Sequence, residues 1–545
     1  MLLSNLNLLA TAPGGVPRLR ELILTLAMQG KLVPQDPSDE PASELLLRIN
    51  QIRSGVIHGK SKSLPISGMG KSRHQIPENW ALSRFEELFS LEYGDSLPAP
   101  KRTETGEYPV YGSNGVVGTH NECRVNAPCI VVGRKGSAGA LNLCLEQACW
   151  VTDVAYFCVP PPGVDLVFAF QLFHTLGLDE LGKGIKPGLS RSEVYSITVA
   201  IPPFAEQRRI VTRVEELMRL CDALEAKGQL EATQHAQLVS TLLATLNESE
   251  TPAQLTENWY RIATHFDLLL DRPEAVDALE QTILQLAVRG LLVPQDLQDE
   301  PASELLKKIR AEKDKLIVEG KIKRDKPLPP IAEEEKPFEL PQGWEWVRLG
   351  WVTSLVTSGS RSWKDFYATE GATFIRSQDI KFDRLEFDER AFVKLPPGTE
   401  GSRTQVHLKD LLITITGANV GKAAIVAQEL TDAYVSQHVA LVRFLDVRLV
   451  DYFHHWLVGE HEGRRLLLMS SYGAKPGLNL QNINDLLVPV PPLAEQSRIV
   501  ARVASLRALC ADLRQRLFNC RSVQEMIASS LLTKETVIKS ALNVD

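Results

Sequence analysis

The stretch that most suggests chemistry is Gly417-Ala418-Asn419-Val420-Gly421-Lys422-Ala423, a glycine turn behind the apolar run Leu411 to Ile415. A nucleotide-binding loop has one more residue between its glycines and a Ser or Thr after the lysine to hold Mg²⁺. Ala423 stands in that place, so a nucleotide site is not expected. The backbone N–H groups and lysine of such a turn can instead face nucleic-acid phosphates. A second glycine turn, Gly133-Arg134-Lys135-Gly136-Ser137-Ala138-Gly139, follows the apolar run Cys129 to Val132. Neither turn brings a catalytic set with it. The tetrad Ile201-Pro202-Pro203-Phe204 superficially resembles the Asn-Pro-Pro-aromatic motif of adenine-N6 methyltransferases, but isoleucine has no amide to hold a base. The sequence offers no glycine-rich S-adenosylmethionine loop, helicase set, nuclease carboxylate cluster or Ser/His/Asp constellation.

Residues fit for reading DNA are more plentiful. In the first half these are Lys101, Arg102, Arg134, Lys135, Ser137, Lys183, Lys186 and Arg191. The second half offers Ser360, Arg361, Trp363, Lys364, Arg376, Gln378, Asn419, Lys422, Gln437, His438 and Lys475. Arginine pairs with guanine and Gln or Asn with adenine in the major groove. Lys186 and Lys475 recur in equivalent Lys-Pro-Gly-Leu segments, which favours phosphate positioning. The net charge is −7, and residues 76–203 hold 9 Lys+Arg against 14 Asp+Glu, so any DNA-facing surface must be local. Of eight cysteines, five lie between Cys123 and Cys158, with no C-x-x-C spacing. Zinc ligation by Cys144, Cys149 and His120 fits no standard spacing, so the cysteines are read as reduced, mostly buried thiols and no metal is expected. The chain start lacks a basic signal region and no long apolar run follows, so a cytoplasmic location in a bacterium or archaeon, with no membrane span, is expected.

The elements that position these residues occur twice. Pro202-Pro203-Phe204-Ala205-Glu206-Gln207-Arg208-Arg209-Ile210-Val211 returns as Pro491-Pro492-Leu493-Ala494-Glu495-Gln496-Ser497-Arg498-Ile499-Val500. Leu32-Val33-Pro34-Gln35-Asp36 returns as Leu292 to Asp296, Asp39 to Leu46 as Asp299 to Leu306, and Pro77-Glu78-Asn79-Trp80 as Pro341-Gln342-Gly343-Trp344. The order is the same in both halves, which makes a tandem duplication of roughly 260 to 290 residues. Paired prolines end a strand and a helix follows. In it Ile210, Val214, Leu217, Cys221 and Leu224 step at a/d spacing, as do Ile499, Val503, Leu506, Cys510, Leu513 and Leu517. Two such seams are expected to pair with each other. About 40 helical residues from Ala205 would span roughly 60 Å, with breaks expected at Gly228 and near Pro252.

The resulting division is a helical repeat segment at 1–53, a linker at 54–75, a mixed α/β body at 76–203 and a helical spacer at 204–316. A linker at 317–339, a second body at 340–492 and a helical segment at 493–545 complete it. In this order the Pro-Pro-x-Ala-Glu-Gln-x-x-Ile-Val, Leu-Val-Pro-Gln-Asp…Asp-Glu-Pro-Ala-Ser-Glu-Leu-Leu and Pro-x-x-Trp segments resemble the specificity subunit of type I restriction–modification enzymes over nearly the whole chain.

The resemblance implies a mixed α/β fold with two target-recognition domains separated by two long antiparallel helices in a coiled coil, related by pseudo-two-fold symmetry. It implies a non-catalytic subunit that binds double-stranded DNA. The expected partners are two modification (methyltransferase) subunits and two ATP-dependent restriction subunits. S-adenosylmethionine, ATP and Mg²⁺ belong on those partners and no cofactor on this chain. Two different bodies on a spacer should read an asymmetric bipartite site, with half-sites about one helical turn (about 34 Å) apart. The competing readings are a self-contained DNA methyltransferase or nuclease, which the missing motifs oppose, and a protein-only coiled-coil scaffold.

Overall fold

The computed structural model describes residues 12–56, 76–182, 188–249, 251–324, 327–359, 363–396, 402–460, 462–471 and 477–541. It divides into two compact units, residues 1–232 with 520–545, and residues 233–519.

The first unit opens with α1 (Gly15–Met28) and α2 (Ala42–Val56). Strand β1 (Ala81–Arg84) and the short α3 (Phe85–Leu88) lead to β2 (Glu92–Tyr93), β3 (Tyr108–Gly112), β4 (Gly115–His120), β5 (Cys129–Gly133), β6 (Leu141–Cys144), β7 (Trp150–Val151) and β8 (Ala155–Cys158). Helices α4 (Leu166–His174) and α5 (Arg191–Tyr195) and strand β9 (Thr198–Ile201) lead into α6 (Phe204–Asn247). The strands form the sheets β2-β8-β5-β6 and β4-β3-β7 and the antiparallel pair β1-β9.

The second unit repeats this grammar. After α7 (Pro252–Thr264) and α8 (Phe266–Leu269) come α9 (Pro273–Val288) and α10 (Ala302–Val318), the counterparts of α1 and α2. The body runs through β10 (Glu345–Arg348), α11 (Leu349–Val352), β11 (Thr353–Ser358), β12 (Tyr367–Ala368), β13 (Ala372–Ile375), β14 (Ala391–Val393), β15 (Leu411–Thr414), β16 (Ala423–Ile425), β17 (Ala433–Val435) and β18 (Val439–Phe444). Helices α12 (Val450–Val458), α13 (Glu462–Met469) and α14 (Leu480–Asp485), then β19 (Leu487–Val490), lead into α15 (Leu493–Ala541). The sheet β11-β18-β15-β16 has the order of β2-β8-β5-β6, and β12-β14-β13-β17 extends the order of β4-β3-β7 by one strand. The sheets β4-β3-β7 and β12-β14-β13-β17 each contain one parallel pair, β3 with β7 and β13 with β17.

The repeated residues converge on one hub per unit. Trp80 Nε1 donates to Glu206 Oε2 at 3.0 Å and Gln35 Nε2 to Glu206 Oε1 at 2.6 Å. Trp344 Nε1 donates to Glu495 Oε2 at 3.0 Å and Gln295 Nε2 to Glu495 Oε1 at 2.7 Å. Beside them Arg209 grips Asp39 at 2.5 Å and Arg498 grips Asp299 at 2.6 Å. Gln207 and Gln496 donate back to the carbonyls of Pro202 and Pro491, ending the strand as the helix begins. Both glutamates are buried, and burial raises their pKa against the opposing pull of the tryptophan and glutamine donors. A buried carboxylate is costly unless its oxygens are hydrogen-bonded, which accounts for Trp and Gln recurring with the Glu.

The two seams are each covered from within their own unit, a correction to the expectation that they face one another. Ile210, Val214 and Cys221 share a core with Val16, Ile23 and Ala27 of α1, and Leu217 and Leu224 pack half-buried against it. Arg20 of α1 pairs with Asp222 and Glu225 of α6. Ile499, Val503 and Cys510 share a core with Leu279, Ile283 and Ala287 of α9, with Leu506, Leu513 and Leu517 half-buried against it. Arg514 of α15 pairs with Asp277 and Glu280 of α9. The physical reason is the width of the apolar stripe on α1 and α9, which needs two partners. The second face of α1, Leu22 and Leu26, packs with Ala528 of α15, and Arg18 pairs with Glu525 at 2.9 Å. Val239, Leu243 and Leu246 of α6 lie in the core of α9. The start of one long helix thus shares a unit with the end of the other, as an antiparallel pair requires. Gly228 does not break α6, which runs 44 residues and about 66 Å; the break comes before Pro252 at α7.

Candidate nucleic-acid interface

Hydrogen-bond register identifies equivalent positions in the two bodies. Leu189 N donates to Arg134 O at 2.9 Å and Leu478 N to Ile415 O at 2.8 Å. Arg134 N donates to Val154 O and Ile415 N to His438 O, both at 2.9 Å. The glycine turns after β5 and β15, the loops before β8 and β18, and the residues at Leu189 and Leu478 therefore gather at the same end of the sheets β2-β8-β5-β6 and β11-β18-β15-β16. Gly94 and Gly359 close the group: a Cβ on Gly94 would lie 2.2 Å from Thr152 O, and one on Gly359 2.1 Å from Val435 O. No side chain fits where the backbones approach so closely.

The side chains on this shared end differ between the bodies. In the first, the guanidinium carbons of Arg134 and Arg191 lie over the Tyr93 ring, 4.7 and 5.2 Å from its centre. Tyr93 stands edge-on to Tyr156 at 5.1 Å, and Arg191 also lies 5.5 Å from the Tyr195 ring centre. Arg134 Nη1 donates to Asp153 O at 3.0 Å and Arg191 Nη1 to Leu91 O at 3.3 Å, which orients both forks. Burial and its contact with Tyr93 raise the Tyr156 pKa, keeping the phenol a neutral donor. Lys135 is exposed beside Arg134 and Ser137 is half-buried in the turn.

In the second body the same end carries amides and an imidazole. His438 Nδ1 is hydrogen-bonded to Thr416 Oγ1, and His438 Nε2 lies 3.1 Å from Gln437 Nε2. Gln437 and His438 are exposed, as is Gln378 on the adjoining 3₁₀ turn. Asn419 Nδ2 donates to Ser377 O at 3.4 Å, linking the glycine turn to that 3₁₀ turn. Lys422 is half-buried. The amides of Val420, Gly421 and Lys422 donate to Gly417, Thr414 and Asn419 carbonyls, so those three are not free to hold a phosphate.

Three expectations are corrected. Trp363 is 4% exposed, stacked on Phe374 and edge-on to Tyr434, so its ring is core and cannot stack on a base. Arg102 donates from Nε and Nη2 to Leu97 O at 3.0 and 2.8 Å, bracing a loop, while Lys101 beside it is exposed. Arg376 is held by the buried Asp379 at 3.1 Å and by Glu389 O, and the Asp379 bond raises its pKa. Lys183, Lys186, Ser360, Arg361 and Lys475 lie outside the described residues, as does the Lys364 side chain. Sequence reading missed Tyr93, Tyr156, Tyr195 and Thr416. No spacing signals them, because only the pairing of β2 with β8 brings Tyr93 to Tyr156.

His120 is not with Cys144 and Cys149; its ring stands edge-on to Trp150 at 5.3 Å. Among the described residues no helix is long and apolar enough to cross a membrane.

Comparison with known proteins gives these arrangements a family. The type I restriction modification DNA specificity domain matches residues 77–234 and 341–519. The chain is 33% identical to the type I restriction enzyme EcoAI specificity subunit of Escherichia coli, over 95% of this chain and 93% of that protein. It is 32% identical to the EcoEI specificity subunit of Escherichia coli over the same shares. A chain in a solved type I R-M system is 16% identical over 84% of this chain and 97% of that one, with a TM-score of 0.44, too low to argue from. The chain belongs to the type I restriction–modification DNA specificity family, and it is the recognition component, not a catalytic one.

Proposed function

We propose that the chain reads an asymmetric, bipartite double-stranded DNA site, with residues 76–203 and 340–492 as target-recognition domains and one half-site read by each. The observation that carries this is the pair of equivalent loop ends, built on matching hubs and bearing different side chains. Arg134, Lys135, Ser137, Arg191 and Lys101, with Lys186 from the adjoining loop, form the reading surface of the first domain. Gln378, Asn419, Lys422, Gln437 and His438, with Ser360, Arg361, Lys364 and Lys475 from adjoining loops, form that of the second. An arginine-rich surface suits guanine N7 and O6, and an amide-rich one suits adenine N6 and N7. The duplicated frame offers two equivalent docking surfaces, for two modification subunits, each able to recruit a restriction subunit in the bacterial or archaeal cytoplasm. S-adenosylmethionine, ATP and Mg²⁺ bind those partners.

The test is a mobility-shift assay with the methyltransferase partner present. Binding should require both half-sites at one spacing and be lost when base pairs are inserted between them. Binding indifferent to the spacer would refute the bipartite reading.

A further inference from the structure

The core behind β5 differs between the two bodies in a way that packing does not require. Cys129 on β5 pairs directly with Cys144 on β6, and Cys149 immediately precedes β7. All three are buried, their sulfurs lie within 4.8 Å of one another, and the Cys129 and Cys149 sulfurs are 3.9 Å apart. Three thiolates on a tetrahedral zinc at about 2.3 Å would stand about 3.8 Å apart, so only small side-chain shifts separate this arrangement from a ligand set.

A fourth thiol is at hand. Val125 is bridged antiparallel to Cys149, its N–H donating to Cys149 O at 3.0 Å and its carbonyl accepting from Cys149 N at 2.9 Å. Cys123, two residues back on the same segment, is half-buried, its thiol donating to Asn126 Oδ1 at 3.0 Å.

The second body shows what these positions hold without thiols. Val426 N donates to Asp410 O, placing Asp410 and Val426 where the first body has Cys129 and Cys144. Val406 N donates to Ala433 O as Val125 N does to Cys149 O, so Ala433 replaces Cys149. There the site closes with aliphatic packing and the Asp410–Arg443 ion pair at 2.6 Å. A fold that closes this core with Val, Ala and an ion pair has no packing need for three sulfurs together.

We propose that Cys129, Cys144 and Cys149, with Cys123 turning in from the segment bridged to Cys149 as the fourth ligand, bind a thiophilic divalent cation, zinc, which ties β5, β6 and the start of β7 together in the first body only. The four thiol protons leave as the ion enters. The ion is structural, because four protein ligands leave no open position for a substrate or an activated water.

The experiment uses the full-length chain, purified without added metal. Elemental analysis should find about one zinc per chain, and cobalt substitution should give the intense thiolate-to-metal absorption of a cysteine-rich tetrahedral site. Cys129→Ala should lower the zinc content by about ten-fold or more, while Cys158→Ala, a buried thiol in a different core, should leave it unchanged. Should Cys129→Ala prove insoluble, the wild-type zinc content and cobalt spectrum still decide. A chain without zinc and without the cobalt thiolate band would overturn the proposal, as would a Cys129–Cys149 disulfide in the purified protein or zinc retained by Cys129→Ala.

Discussion

Trp80 and Trp344 each donate at 3.0 Å to a buried glutamate that also accepts from a glutamine, whereas the loop ends of the same two bodies match hardly anywhere. In the first, two guanidiniums lie on a tyrosine; in the second, a histidine is held between a threonine and a glutamine. The bonds that match set where a body sits on its long helix. The side chains that differ lie where a partner molecule would be read. This division would let the proposed reading surface change without disturbing the frame, because no hub residue belongs to it.

The largest expected effect tests the equivalence of the hubs. Trp80→Ala and Trp344→Ala each remove a nearly buried ring and leave a glutamate oxygen unpaired, and each should cost its own unit about 3 to 5 kcal/mol. Calorimetry that follows the two units should show the lower transition switching with the mutation. Tolerance of one substitution but not the other would break the comparison.

Acid should separate the units next. In α12, burial lowers the pKa of His454 to about 4 and that of His455 to about 3, and neither His455 nitrogen has a protein partner. The charged groups around them, Asp383, Arg507 and Asp451, do not reverse this shift. Because the folded pKa values are depressed, the stabilisation is present above the ordinary histidine range and is lost as pH falls toward 4. At pH 5 each histidine should cost the second unit about 2 kcal/mol relative to neutral pH. His455→Leu should remove its share, as read from urea unfolding at pH 7 and pH 5; an unchanged pH dependence would contradict the burial argument.

The smallest effects sharpen the contrast between reading surfaces. Arg134→Ala should weaken binding by about 1 to 3 kcal/mol and relax preference in one half-site only, and Gln437→Ala should do the same in the other. Competition assays against half-site variants measure this. Loss of preference in both half-sites from either substitution would show that the surfaces are not independent.

The duplication, the order of elements and the glycine turns were legible because repeats and turn residues leave marks along the chain. The hub bonds were legible only as recurring letters, since Gln35, Trp80 and Glu206 are far apart in sequence. The seams were read correctly as stripes, but a stripe does not name its partner: the wide apolar face of α1 takes the cover that the other long helix was expected to supply. Gly228 costs a helix only about 1 kcal/mol, which a long helix absorbs. Trp363 was misjudged because an aromatic beside basic residues in a loop looks exposed until Phe374 and Tyr434 are seen against it. Tyr93 carried no signal at all, because its partners arrive through sheet order.

Each body is expected to read its half-site alone. Replacing residues 340–492 with the corresponding body of another specificity subunit, then sequencing the methylated motif in a host carrying the modification subunits, tests that directly. One half of the motif should change while the other half keeps its bases. A motif altered in both halves, or in neither, would contradict it.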